Sequence, residues 1–376
     1  MFYDIFDIDL VRETIALYSN PSDQEILDAI NGEGFSLERA AILLSDRAEN
    51  FLEQMAERSK LITRQRFGNI VSVFTPMYLN NLCVNGCLYC GFNSGLKNKR
   101  IRLTIDQCVA ESEEIKKRGI DQILLVAGED PKGITPDYIS EFSSRIKSRF
   151  SSIGIELQPY ELDDYKKMKK AGVDYVAFYQ ETYNQDLYKI YHPKGPKSDY
   201  KRRINNLDII GKAGMSKIGM GFLLGLADFK EDMLSLISHM AHIYKNYTFS
   251  QISVSFPRIQ PSESTPIYNS IIKKYGITPV NEITLARAMF IVRLLFNDAG
   301  ITLSTRESDN FRDNMTPLVV TQISAASKTA PGAYIFNEEN LDQFTIQDDR
   351  SLGEIKEMLR RNNLESVMYE RQYEKD

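Results

Sequence analysis

From about residue 69 to residue 323 the chain repeats one unit about eight times: a short β-branched or aromatic run, then an amphipathic helical stretch. The apolar runs fall at 70–74, 123–126, 153–158, 174–179, 217–224, 251–256, 301–304 and 318–323. The run Ile123-Leu124-Leu125-Val126 is continuous and does not alternate, the pattern of a strand buried on both faces. The helical stretches at 104–118, 136–149, 161–170, 199–213, 230–246 and 279–298 have the length of crossover connections. Gly119 closes the first of them in the manner of a C-cap, and Gly172, Gly214 and Gly300 stand between later helices and strands. Alternation of this kind predicts a parallel sheet covered by helices. Eight units in about 260 residues predict closure into a TIM-type (β/α)8 barrel, with the active site at the C-terminal strand ends.

Residues 1–68 read as a helical N-terminal extension. Ser22 and Glu25 form a capping-box pair before Ile26, Leu27 and Ile30. Ser36 precedes Ala40, Leu43 and Leu44 in the same manner, and Leu52, Met55 and Leu61 continue at helical spacing. The expected division is therefore 1–68 extension, 69–330 barrel and 331–376 a C-terminal extension packed on the barrel. Met1 to Leu10 carries Asp4, Asp7 and Asp9 and no basic residue, unlike a secretory signal. No apolar run is long enough to span a bilayer, so no membrane association and a cytoplasmic location are expected. Lys plus Arg is 46 against 51 for Asp plus Glu, and no basic stripe exists to hold nucleic acid. Lys166, Lys167, Lys169 and Lys170 read as the solvated face of a helix.

Three of the four cysteines, Cys83, Cys87 and Cys90, lie within eight residues in a C-x3-C-x2-C pattern soon after the first strand. A disulfide framework would spread its cysteines along the chain. A structural zinc site needs four protein ligands, and the three histidines, His192, His239 and His242, are all distant in sequence. Three thiolates suit a [4Fe–4S] cluster in which one iron keeps an open position. Cys108 shares a helix face with Ile105, Val109, Ser112 and Ile115, and reads as a buried inert thiol.

With Tyr89 before its last cysteine, this pattern resembles the signature of the radical S-adenosylmethionine (SAM) superfamily. The resemblance implies that the open iron chelates the amino and carboxylate groups of SAM. Electron injection then yields methionine and a 5′-deoxyadenosyl radical that abstracts hydrogen from the substrate. It also implies that Tyr89 packs near the adenine, and that Gly128-Glu129 meets the SAM amino group although Ala127 stands where glycine is commoner. Glu181 resembles the acceptor of ribose hydroxyls, and Arg203 the SAM carboxylate ligand of biotin-synthase-like members. Gly221, opening Gly221-Phe222-Leu223-Leu224-Gly225, resembles the strand that lies along the adenine.

Longer strings resemble the ThiH family of tyrosine lyases: Asn81-Leu82-Cys83, Cys90-Gly91-Phe92, Gln180-Glu181-Thr182-Tyr183, Ser253 to Arg258, Leu303 to Glu307, and Ser324 to Lys328. This resemblance implies cleavage of the Cα–Cβ bond of L-tyrosine to 2-iminoacetate and p-cresol, for the thiazole of thiamine. It implies a flavodoxin or ferredoxin reductant and a possible complex with thiazole synthase. Hydrogen is then taken from the substrate's amino group, a step that rests on placing the reacting atoms. Arg306 matches the family's carboxylate-binding arginine, where a guanidinium fork offers two parallel bonds. Ser304 and Ser324 stand where they orient the ammonium or carboxylate. The plain alternative for Arg306 is an ion pair with Glu307 or Glu129, and Arg258 reads as structural beside Gln260-Pro261. His192, next to Pro193, reads as a loop residue.

Rival readings remain at this point. The related HydG enzymes carry a second cluster on a C-terminal cysteine motif, and no cysteine follows Cys108. A tryptophan lyase of the same branch would use Arg306 equally well. A non-catalytic cluster carrier and a zinc hydrolase are the readings from other classes.

Overall fold

Eight parallel strands close into a ring in the computed structural model, which describes residues 1–259, 280–336 and 342–367. They are β1 (Ile70–Asn80), β2 (Gln122–Ala127), β3 (Ser152–Glu156), β4 (Tyr175–Ala177), β5 (Lys217–Gly221), β6 (Gln251–Ser255), β7 (Gly300–Leu303) and β8 (Gln322–Ser324). Each pairs with the next, and β1 pairs with both β2 and β8, so the ring has no open edge. The fold is the (β/α)8 barrel expected from the alternation.

The helices between strands are α5 (Ile105–Lys117), α6 (Pro136–Ile146), α7 (Leu162–Lys170), α8 (Gln185–Tyr191), α9 (Tyr200–Lys212), α10 (Phe229–Asn246), α11 (Glu282–Leu295) and α12 (Asp309–Met315). Thr104 and Gln107 form a capping box at the start of α5. Gly119 sits just past the end of that helix at φ +85°, where a side chain would be strained. The helices α8 and α12 are absent from the sequence reading. At seven residues each they complete too few turns to show a period. Gln260-Pro261 and residue 279, the expected first residue of α11, lie outside the described residues.

Two additions flank the ring. Before it come α1 (Ile8–Leu17), α2 (Asp23–Asn31), α3 (Leu37–Leu44) and α4 (Leu52–Phe67), with Ser22 and Ser36 as the N-caps of α2 and α3. The first residues are docked: the Phe2 amide donates to Asp208 Oδ2 at 2.8 Å, and its ring stacks on His239 at 3.9 Å. Arg287 of α11 donates to the carbonyl of Leu43 at 2.9 Å, tying α3 to the barrel wall. After the ring come α13 (Leu352–Arg361) and β9 (Glu365–Val367), a strand the sequence reading lacks. β9 pairs with Ile70 to Ser72 of β1, so the end of the described chain joins the sheet at its first strand.

The barrel interior is more polar than the Val, Ile and Leu layers usual for this architecture. Tyr175 plugs it: a Cβ on Gly154 would lie 2.7 Å from its ring and one on Gly219 2.3 Å from its hydroxyl. Ser253 donates to that hydroxyl at 3.3 Å. Ser72 with Gln122, and Thr302 and Lys217 with Gln322, form further polar pairs inside the ring. Space therefore remains above Tyr175, at the C-terminal ends of the strands, for a site.

Candidate active site

The cysteine loop follows β1 and is held from both sides. Arg100 donates to the carbonyls of Asn81, Phe92, Asn93 and Leu96, so one guanidinium gathers the whole loop. From the barrel side, the Val84 amide donates to the Glu129 carbonyl at 2.9 Å and Asn80 Oδ1 accepts from the Gly128 amide at 2.8 Å. A Cβ on Gly128 would lie 2.3 Å from the Leu82 carbonyl oxygen, so the end of β2 approaches the loop this closely only as glycine. The Gly86 and Leu88 amides donate to the carbonyls of Lys194 and Tyr191, fixing the loop against the chain beyond α8.

Cys83, Cys87 and Cys90 are free thiols facing one cavity. Burial pushes the Cys83 and Cys87 thiols up, so both hold their protons until a metal displaces them. Among the described residues, no three His, Cys, Asp or Glu side chains converge as a single-ion site. Thiolates serving separate irons of a cluster need no such convergence, and a zinc site does. The three thiols, with no fourth protein ligand beside them among the described residues, fit a [4Fe–4S] cluster.

Beside the loop lies a charged group built after β4. Glu181 holds φ +74°, a strained conformation for a residue with a side chain. It is kept there by a bridge to Phe222 and by two cations, Lys197 Nζ at 2.6 Å and Arg203 Nη2 at 3.2 Å. Burial pushes the Glu181 carboxyl up, but Lys197 and Arg203 outweigh it and hold it down at about 2. The pair's contribution is thus complete above the ordinary carboxylate range and is lost only as pH falls toward 2. Arg203 also donates to the Tyr179 carbonyl at 2.8 and 2.6 Å and lies over the Phe178 ring. Asn85 Nδ2 donates to Glu129 Oε2 at 2.6 Å. The Tyr89 hydroxyl meets His192 Nε2 at 2.7 Å. Burial holds His192 down at about 3, so it is neutral, with Nδ1–H directed at the Tyr188 carbonyl.

Opposite stands Arg306, just past β7. Its guanidinium stacks over Phe344 at 3.5 Å, and among the described residues it has no ion pair or side-chain hydrogen bond. The alternative pairing with Glu307 does not form, because Glu307 binds Arg258 through both carboxylate oxygens. Ser304 Oγ accepts from the Arg306 amide at 3.4 Å, and Ser324 Oγ from the Thr305 amide at 2.9 Å. Removing one partner of the buried Arg258–Glu307 pair leaves an unpaired charge. Arg258→Ala is therefore expected to destabilise the protein by about 3–5 kcal/mol. Chemical denaturation checks this, and a midpoint equal to that of the unaltered protein would refute it.

The cavity measures about 230 Å³. Of the residues singled out in the sequence, Cys83, Cys87, Cys90, Tyr89, Gly128, Glu129, Glu181, Arg203, Ser304, Arg306 and Ser324 line it. Gly221 does not: its backbone runs against β6, where a Cβ would lie 2.0 Å from the Ser255 carbonyl oxygen. Tyr78, Glu156, Lys197 and Gln343 also line the cavity and were not singled out. The Tyr78 hydroxyl donates to Gln343 Oε1 at 2.7 Å, and Gln343 Nε2 faces Cys90 Sγ at 3.8 Å.

Residues 77–238 match the Radical SAM superfamily, and residues 255–365 the Biotin and Thiamin Synthesis associated domain. The chain is 39% identical to 2-iminoacetate synthase of Escherichia coli (strain K12), over 86% of its own length and 84% of the relative's. The chain belongs to the 2-iminoacetate synthase family. A second member, from Salmonella typhimurium (strain LT2), is 37% identical over 90% of this chain and 88% of its own. The X-ray structure of the FeFe-hydrogenase maturase HydG from Carboxydothermus hydrogenoformans superposes with a TM-score of 0.88 at 30% identity. It covers 98% of this chain and 85% of that one. As a 2-iminoacetate synthase family member, the chain is a radical SAM lyase that uses a [4Fe–4S] cluster and SAM. Among the described residues no helix is long and apolar enough to cross a membrane.

Proposed function

We propose that this lyase cleaves the Cα–Cβ bond of L-tyrosine, giving 2-iminoacetate and p-cresol for the thiazole of thiamine. The observation that carries the reading is Arg306, a guanidinium without an ion partner among the described residues, in the same cavity as the three cysteines. A free amino acid brings the carboxylate that this fork lacks, and stacking on Phe344 fixes the plane in which it is received. Ser304 and Ser324 flank the same spot and orient the carboxylate or ammonium.

On the other side, Glu129 and Asn85 receive the SAM amino group, Arg203 its carboxylate and Glu181 the ribose hydroxyls. Tyr89, oriented by neutral His192, packs near the adenine, with the Gly221 strand running alongside. The cluster, when bound, supplies the electron that cleaves SAM. The chain's own task is positioning: Arg306 holds the amino acid so that its amino group faces the SAM side. Phe74, Phe92 and Leu124 give the cavity apolar walls that exclude water and stray hydrogen donors. In this reading the reductant is a flavodoxin or ferredoxin, and the unstable imine passes to thiazole synthase, by direct contact or through solution, in the cytoplasm. Residues 1–68 and 331–376 act as extensions on the 69–330 barrel.

Separate anaerobic incubations of the reconstituted protein with SAM, dithionite, and either L-tyrosine or L-tryptophan test the substrate. The expected result is p-cresol and glyoxylate, the latter from imine hydrolysis, with tyrosine and no amino-acid fragmentation with tryptophan. Fragmentation of tryptophan alone would replace this reading with its nearest rival.

A further inference from the structure

One charged group in the cavity has no task in the account above. Glu156 ends β3 and lines the cavity. Gly154, two residues earlier, directs its Cβ position at the Tyr175 ring inside the barrel, so the Glu156 side chain points inward as well. Its carboxylate makes no ion pair or hydrogen bond with any described residue. Glu156 is half-buried at the cavity wall, and a carboxylate withdrawn from water without a partner is costly, so such a group is usually there to meet a ligand.

Its position relative to Arg306 narrows the ligand. β3 and β7 lie four strands apart in a ring of eight, on opposite sides of the barrel mouth. Each charge influences the other's protonation, yet they form no ion pair, so the cavity lies between them. The walls of that gap are ring faces and aliphatic groups from Phe74, Tyr78, Leu124 and Tyr179. A molecule that fills it presents a carboxylate at one end, a flat apolar middle and a hydrogen-bond donor at the other.

Resting on the reading of the substrate as tyrosine, we propose that Glu156 accepts the hydrogen bond of the substrate's phenol hydroxyl and sets the preference for a hydroxylated ring. Burial and the nearby Glu181 charge push the Glu156 carboxyl up to about 7, against the pull of Arg306. Near neutral pH it thus exists partly as carboxylate, able to accept, and partly as acid, able to meet the hydroxyl oxygen. A site built around such a bond rejects the ring that lacks the hydroxyl, because the polar group is then left unpaired.

The test is binding without turnover: equilibrium dialysis of L-tyrosine and L-phenylalanine against cluster-loaded protein with SAM and no reductant. The unaltered protein is expected to prefer tyrosine by on the order of 10²-fold or more. Glu156→Leu should weaken tyrosine at least about tenfold, leave phenylalanine unchanged or tighter, and reduce the preference to a few-fold. Retained phenylalanine binding shows that the variant's site is intact. Glu156→Gln, whose amide oxygen still accepts, should keep a reduced preference for tyrosine.

Two outcomes overturn the proposal while leaving the tyrosine reading in place. One is an undiminished preference in Glu156→Leu. The other is equal loss of both amino acids, which would put Glu156 at their shared ammonium. Failure of the unaltered protein to bind tyrosine at all would instead remove the reading on which the proposal rests.

Discussion

Cys87→Ala is expected to lose the iron chromophore and to lower SAM cleavage on the order of 10³-fold or more, a barrier increase of more than about 4 kcal/mol. The reason is the ligand count. Three thiols face the cavity, no fourth ligand converges on them among the described residues, and the loop that carries them is fixed by Arg100, Asn80 and Gly128. Removing one leaves two, too few to hold the cluster. Cys108 is the internal control. It is buried on α5 with its sulfur 3.0 Å from the Tyr138 hydroxyl, away from the cavity. Cys108→Ala should change cleavage by less than about threefold, its cost falling on stability. Iron content and 5′-deoxyadenosine formation, measured on both variants, check the pair. Full cleavage by Cys87→Ala would contradict the assignment of the loop.

The second large effect belongs to Arg306. Arg306→Gln should lower kcat/KM for tyrosine by roughly 10² to 10³-fold, the equivalent of about 3–4 kcal/mol for a lost charge-assisted fork. SAM affinity should stay within about threefold, since Arg306 lies across the cavity from Glu129, Glu181 and Arg203. Arg306→Lys keeps the charge but loses the planar fork and the stacking on Phe344, and should recover only part of the loss. A variant that loses SAM and tyrosine together would show Arg306 to be structural. Unaltered kinetics would remove the basis for the substrate orientation.

What could be seen in the sequence follows from the range of the interactions concerned. The strands were visible because each is a buried run of adjacent residues, and the helix starts because capping is local: Ser22 with Glu25, and Ser36 at the start of α3. β9 was not, because it pairs with Ile70 to Ser72, more than the length of the barrel away in sequence. The cysteine motif is confined to eight residues, so its chemistry could be read directly. Lys197, Glu156 and Gln343 are different. Each is an unremarked polar residue until closure of the ring brings Lys197 to Glu181, Gln343 to Tyr78, and Glu156 to the cavity wall across from Arg306. Arg258 and Glu307 are 49 residues apart, and only the fold shows that their pairing leaves Arg306 without that partner.

The most direct measurement is the molar ratio of 5′-deoxyadenosine, p-cresol and glyoxylate in one anaerobic reaction with L-tyrosine, SAM and dithionite. For a tyrosine lyase the three rise together in near-equal amounts, and omitting tyrosine removes p-cresol and glyoxylate. Formation of 5′-deoxyadenosine with no p-cresol under those conditions would contradict the tyrosine reading.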